Sequence, residues 1–112
     1  MNGDWGALMK TKKAQEKKDE ANVIEFYGQE CPHCALMKPV VEQVEEELKV
    51  KFSKLEVWHS EKNHNVMLKY SEAIEDACGG SLGVPCFYNE KTKKALCGGV
   101  DRQTLIDFAK GK

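Results

Sequence analysis

Leu36, Val40, Val44 and Leu48 recur every four residues, and that spacing predicts an amphipathic helix from Pro32 to Lys49. Pro32 suits the first helical position, where its missing N–H has no intrahelical partner to lose. Pro39 lies in the interior, where it removes a hydrogen bond and is expected to kink the helix. Before this helix, "VIEFY" (Val23 to Tyr27) reads as a short buried strand, and after it Val50 to Trp58 reads as a second. The apolar alternation of the second strand changes phase between Phe52 and Leu55, which leaves its register open. Val66, Tyr70, Ala73, Ile74 and Ala77 line one side of a further helix predicted from Asn63 to Ala77, and "CGGSLG" stops it. "VPCFYN" and "KALCGG" read as two strands joined by a turn at "NEKTK". Asp101 is placed to cap a last helix, with Leu105, Phe108 and Ala109 inward and Gly111 ending it. At the other end, Asp4 can cap a first helix reaching about Asp19 or Glu20, with Trp5, Leu8 and Met9 as a short apolar face and solvated lysines behind them; Asn22 interrupts it.

Strands separated by helices call for parallel crossovers, and the tight connection near residue 90 calls for one antiparallel hairpin. The expected fold class is therefore α/β, with a mixed four-stranded sheet flanked by helices. Residues 1–112 form a single domain, of which 1–21 is an N-terminal helical extension.

Composition narrows the function classes. The chain has 112 residues, 41% of them hydrophobic and 31% charged, as in a water-soluble globular domain with a modest core. A net charge of −1 creates no strong field for nucleic acid or an anionic membrane. No apolar run approaches the roughly 18 residues of a membrane span, and the first residues contain no apolar signal-peptide core, so a cytoplasmic location is expected. The five cysteines, Cys31, Cys34, Cys78, Cys86 and Cys97, are an odd number, which fits a reducing compartment better than a fully paired secreted scaffold.

Cys31 and Cys34 flank Pro32 and His33 where the first strand runs into the helix. Cys31 should stand at the helix N-cap, where unsatisfied N–H groups and the positive end of the dipole favour a thiolate. Cys34 lies one turn on, and that separation puts the two Cα atoms roughly 5–6 Å apart, within the range of a disulfide. Cys31 is then the exposed nucleophile and Cys34 the half-buried resolving thiol, while His33 can add positive charge beside the sulfur. Half of a zinc site is the competing use of such a pair. A second Cys-x-x-Cys would favour it, but the other cysteines are widely spaced and His33, His59 and His64 form no ligand pattern.

Taken together, these residues resemble the thioredoxin-fold family. The resemblance runs from Val23 to Phe108: a strand ending in "EFYGQE" before the cysteine pair, a proline five residues after it (Pro39), "GVP" opening a later strand, and Gly98-Gly99 before the final helix. It implies a cis Val84–Pro85 bond packed against the cysteine pair, with the backbone of Val84 binding extended substrate and Gly98 and Gly99 beside it. It implies that Glu25 is the buried acid beneath the resolving cysteine, able to take the Cys34 proton, and that Lys54 can approach that acid. A carboxylate in an apolar strand needs a proton or a partner.

The departures are informative. Glu30 stands before Cys31 where thioredoxins carry Trp, and the Pro-His dipeptide resembles that of bacterial periplasmic thiol oxidases, whose large helical insertion this chain is too short to hold. Glutaredoxins are also similar through "CPxC", "VP" and "GGxD", but "YGQE" lacks their glutathione-binding lysine. Cys78, Cys86 and Cys97 have no family counterpart; Cys86 is either a buried small hydrophobe or the partner of Cys78. The expected function is that of a thiol–disulfide oxidoreductase exchanging disulfides with protein substrates through a Cys31 mixed disulfide. It would be a monomer with no organic cofactor and no metal, fed by a reductase or a small thiol. The alternatives are a glutathione-linked reductase, or a module that holds zinc or an iron–sulfur cluster.

Overall fold

The computed structural model describes residues 19–111, and its order of elements is β1 (Asp19–Tyr27), α1 (Pro32–Leu48), β2 (Val50–Glu56), α2 (Glu61–Lys69), α3 (Ser71–Ala77), β3 (Cys86–Asn89), β4 (Lys94–Cys97) and α4 (Arg102–Lys110). The four strands form one mixed sheet in the order β2-β1-β3-β4. β1 and β2 are parallel, while β3 is antiparallel to both β1 and β4. This is the expected thioredoxin-like α/β architecture.

Each face of the sheet is covered by two helices. Val23, Phe52 and Phe87 pack with Met37, Val41 and Val44 of α1 and Leu105 and Ile106 of α4. Ile24, Phe26, Cys86 and Tyr88 pack on the other face with Met67 of α2 and Ile74 of α3. β1 is thus buried on both sides, which is why "VIEFY" is almost continuously apolar. By alternation Glu25 shares the α1 face with Val23.

Several boundaries differ from expectation. Asp19 and Glu20 belong to β1, not to the end of a helix, because they pair with Val50 and Lys51. Asn22 does not interrupt the strand; the register slips between Glu20 and Ile24, and the extra residues are taken up there. The first helix expected from Asp4 otherwise lies outside the described residues. β2 ends at Glu56 rather than Trp58, because the Glu56 carboxylate takes the N–H groups of Trp58 and His59 and turns the chain. Its change of apolar phase has a cause: Phe52 and Lys54 face α1, and Lys54 there meets a carboxylate, Glu45, in place of an apolar neighbour. The helix expected from Asn63 to Ala77 is two helices broken at Tyr70, whose ring stacks on Tyr88 with centroids 4.0 Å apart. The first of them starts earlier, at Glu61, with the Ser60 hydroxyl accepting the Asn63 N–H.

The remaining punctuation follows the sequence. α1 runs through Pro39, which faces solvent. The Asp101 carboxylate caps α4 by accepting the Thr104 N–H at 2.8 Å, and Gly111 ends it in the left-handed conformation at φ 82°. The Val84–Pro85 peptide bond is cis. Cys78 does not pair with Cys86: it forms a disulfide with Cys97, at a Cα–Cα distance of 5.2 Å. Cys86 is a free, fully buried thiol on the Phe26 face.

Gly28, just past β1, has no room for a side chain, because a Cβ there would overlap the Trp58 indole. Gly28→Ala should therefore cost about 1–3 kcal/mol, an overpacking penalty. Trp58→Ala in the same chain should recover most of that loss in a denaturant double-mutant cycle. Additive losses would show that the indole is not the obstacle.

Candidate active site

The connection from β1 to α1 sets the first sulfur. The Cys31 N–H donates to the Gly28 carbonyl at 3.1 Å, which closes a tight turn, and Pro32 opens the helix. Cys31 is the N-cap, and its Sγ accepts the Cys34 N–H at 3.3 Å. A sulfur thus fills the place usually held by a Ser or Asp oxygen. The same Sγ lies 3.8 Å from the Val84 carbonyl oxygen, which brings the cis-proline segment against the cysteine pair. Pro85 is tied in turn to β4, its carbonyl accepting the Gly98 N–H at 2.9 Å. Gly98 adopts φ 89°, a conformation that favours glycine, and Gly99 is exposed beside it.

A cleft of about 390 Å³ opens beside the cysteine pair on the α1 side, away from Val84 and Pro85, lined by Cys31, Cys34, Glu25, Lys54, Lys38 and Glu42. Both cysteines are free thiols, and the expected contrast between an exposed Cys31 and a half-buried Cys34 is absent: 5% of Cys31 and 7% of Cys34 is exposed, because Cys31 is covered by the Val84 segment, whereas His33 is exposed. Burial, aided by the hydrogen bond with Cys31 and the nearby Glu25 charge, pushes the Cys34 thiol up to about 12, although the Gly28 backbone partly opposes it. Burial likewise pushes Cys86 up to about 12, with Cys34 and Glu25 contributing. At neutral pH neither carries appreciable thiolate, so each would need a base to react.

Glu25 is buried, with 5% of its surface exposed, at the floor of the cleft. Burial pushes its carboxyl up to about 7, with the Lys54 ammonium pulling down and the Glu45 carboxylate pushing up. Lys54 makes its direct contact with Glu45, not with Glu25: its Nζ is 2.6 Å from Glu45 Oε2. The same Glu45 oxygen accepts the Phe52 N–H at 2.8 Å.

Glu45 escaped the sequence reading, although a carboxylate four residues after Val41, on the buried side of the helix, was the available signal. A second group also escaped. Glu56 accepts N–H groups from Gln29 at 2.9 Å, Trp58 at 3.2 Å and His59 at 2.8 Å. His59 Nε2 meets the Glu30 carboxylate at 2.7 Å. The loop after β2 is thereby fastened to the loop that presents Cys31. Hydrogen bonding to Glu30 and its charge raise the His59 pKa. Desolvation is the largest single influence on the Glu56 carboxyl and raises it, but the N–H groups donated by His59, Gln29 and Trp58 and the charge of His59 together hold it below the usual range. Among the described residues no three His, Cys, Asp or Glu side chains converge as a metal-ligand set, and no helix is long and apolar enough to cross a membrane.

A free cysteine pair at a helix N-terminus, its first sulfur against the Val84 carbonyl, is the site of a thiol–disulfide oxidoreductase. Residues 9–71 match the Thioredoxin family model. The chain is 38% identical over 86 residues to a thioredoxin from Mycoplasmopsis pulmonis (strain UAB CTIP), a match covering 76% of this chain and 75% of that protein. Among solved structures it is similar to Fasciola hepatica thioredoxin, with TM-score 0.58 at 24% identity over 87% of this chain and 85% of that one. It is likewise similar to thioredoxin f from spinach chloroplast, with TM-score 0.58 at 25% identity over 83% of this chain and 79% of that one. The chain belongs to the thioredoxin family.

Glu25 gives the fold a pH dependence. Its folded pKa of about 7 lies above the ordinary 4.5, so the native state keeps a proton that the unfolded chain releases. The stability this provides is full at acid pH and falls as pH rises between those two values, by about 3 kcal/mol in all. Glu25→Gln should therefore melt near wild type at about pH 4 and above it at about pH 8. An equal gap at both would show that the carboxyl is not held neutral.

Proposed function

We propose that the protein exchanges disulfides with protein substrates through a mixed disulfide on Cys31 that Cys34 resolves. The observation that carries this is the position of the Cys31 sulfur, which caps α1, accepts the Cys34 N–H and opens to the cleft that Glu25 also lines. Helix N–H dipoles aimed at a sulfur stabilise negative charge on it. In the reducing direction, Cys31 attacks one substrate sulfur. The bond between Cys31 and that sulfur forms, the substrate disulfide breaks, and the second substrate sulfur leaves as a thiolate that takes up a proton.

The resolving step needs the Cys34 proton removed. Glu25, titrating near 7 beneath the pair, is the base within the cleft, acting directly or through a water. Cys34 then attacks the Cys31 sulfur, the Cys31–Cys34 disulfide closes, and the substrate departs as a dithiol. Val84 and Pro85 supply the backbone edge along which an extended substrate segment lies next to Cys31, with Gly98 and Gly99 leaving the approach open. His33 and Pro32 set the helix entry. Lys54 acts on Glu25 by charge while anchored by Glu45. A reductase or a small thiol returns the two electrons to the Cys31–Cys34 disulfide.

Trapping tests the sequence of steps. Cys34→Ser, mixed with insulin, should accumulate an insulin adduct on Cys31, and Cys31→Ser should accumulate none. Glu25→Gln should form the adduct at the wild-type rate and resolve it roughly tenfold or more slowly. An adduct on Cys34, or unaltered resolution in Glu25→Gln, would reverse the assigned roles.

A further inference from the structure

We propose that the Cys78–Cys97 disulfide is a second redox couple of this protein, a clamp that holds the Val84–Pro85 segment in place beside Cys31. The proposal rests on the exchange reading above, in which that segment receives the substrate backbone.

The segment between Cys78 and Pro85, "GGSLGV", has three glycines in six residues, and the Gly80 N–H ties its start to α3 by donating to the Glu75 carbonyl at 2.7 Å. Gly79 and Gly80 adopt φ 77° and 105°, both are exposed, and nothing lies within 4 Å of where their side chains would be. Its order comes from its two ends and from the side chains of Leu82 and Val84 between them. At one end Cys78 closes α3, a helix of only seven residues cut off from α2 by the break at Tyr70. The disulfide fastens that end to β4, the edge strand of the sheet. Along the way Leu82 and Val84 pack on the Phe26 cluster, and a Cβ at Gly83 would stand 3.8 Å from the Cys97 sulfur. At the other end the Gly98 N–H, next after Cys97, holds the Pro85 carbonyl. Val84 then meets the Cys31 sulfur. A single S–S bond is thus joined to the nucleophile through one loop of chain.

The couple can be reached. Cys78 and Cys97 are partly exposed, whereas Cys86 is fully buried. An external dithiol can attack one sulfur of the pair, breaking the Cys78–Cys97 bond and forming a mixed disulfide. Its second thiol then displaces the protein sulfur. Cys78 and Cys97 end as thiols and the reagent as its disulfide, with two electrons and two protons transferred. Cys86 bears on this because it pairs with Cys97 across the β3–β4 ladder. The hydrogen bond between Gly98 and Pro85 makes Cys86–Cys97 the adjacent non-hydrogen-bonded pair, the type in which cross-strand side chains come closest. Cys86 is therefore an internal thiol that could take Cys97 from Cys78, and its burial, which keeps it protonated, protects the clamp from that exchange.

Two measurements test the clamp. In Cys31→Ser/Cys34→Ser/Cys86→Ala protein only the second couple remains. Millimolar dithiothreitol should reduce it in the folded state, as read by alkylation and mass spectrometry. Amides of residues 79–84 and 98 should then exchange hydrogen about tenfold faster while those of α1 keep their protection. Resistance to reduction, or unchanged exchange, overturns the proposal. In Cys78→Ala/Cys97→Ala protein with the Cys31–Cys34 pair intact, KM for insulin should rise about threefold or more, with kcat and the rate toward a small aromatic disulfide little changed. An unchanged KM, or equal losses toward both substrates, overturns it too. Wild-type protein inert toward insulin, with the exchange contrast present, would sink the oxidoreductase reading alone. A flat contrast in a protein that reduces insulin sinks the clamp alone.

Discussion

A sulfur atom caps the helix on which this structure is organised. Every helix begins with N–H groups that lack partners, and α1 gives one of them, that of Cys34, to Cys31 Sγ. A neutral thiol is a weak acceptor, whereas a thiolate is a strong one, so the capping interaction improves as the sulfur gains charge. In the proposed exchange, reactivity and helix entry are the same contact. The fold must deliver it with little tolerance. β1 ends at Tyr27 and α1 starts at Pro32, so a short connection must turn the chain and still aim the sulfur at Val84.

That connection does not hold itself. Its outer side is fixed by the loop that follows β2, through one carboxylate accepting three backbone N–H groups and one exposed carboxylate–imidazole pair. Trp58 covers Gly28, where glycine is required by the indole above it and not by its own backbone angles. Exposed ion pairs contribute little to global stability. Their value here is positional: Glu56 and the Glu30–His59 pair act on the few residues whose placement determines where the Cys31 sulfur sits.

What could be read from the sequence was what is local. The cysteine pair, Pro32 at the helix start, Asp101 as a cap and Gly111 as a stop each act within one or two turns, and each is found where expected. The expected apolar face of α1 is not: Leu36 is 71% exposed, and Met37, Val41 and Val44 carry the burial, because the sheet meets the helix one position round from the four-residue row. The misplaced features depend on distant partners. The break at Tyr70 has no glycine or proline to announce it, and is accompanied by stacking on Tyr88 from a strand eighteen positions away in number. β1 extends back to Asp19 because β2 is there to pair with it. Glu45 sits in an acidic helix, "EEEL", where one buried carboxylate looks like its solvated neighbours until β2 brings Lys54 to it. The pairing of Cys97 with Cys78 was equally hidden, since the sequence does not show that β4 lies against α3.

The charges beneath the cysteines show why that hidden partner matters. Two carboxylates, Glu25 and Glu45, face one ammonium, Lys54, on the α1 side of the sheet. If Lys54 bonded Glu25 directly, the pair would hold the acid ionised and far below neutrality. Glu45 instead takes the direct contact, helped by the Phe52 N–H, and leaves Glu25 only the longer-range field of the ammonium. That field is offset by the repulsion from Glu45, so burial prevails and Glu25 titrates at about 7. In the proposed exchange Glu25 takes up a proton near neutral pH and gives it back, which a group does best at that value, since neither form is then scarce. The helix carboxylate that looked like surface is thus what keeps the strand carboxylate from being neutralised by its lysine.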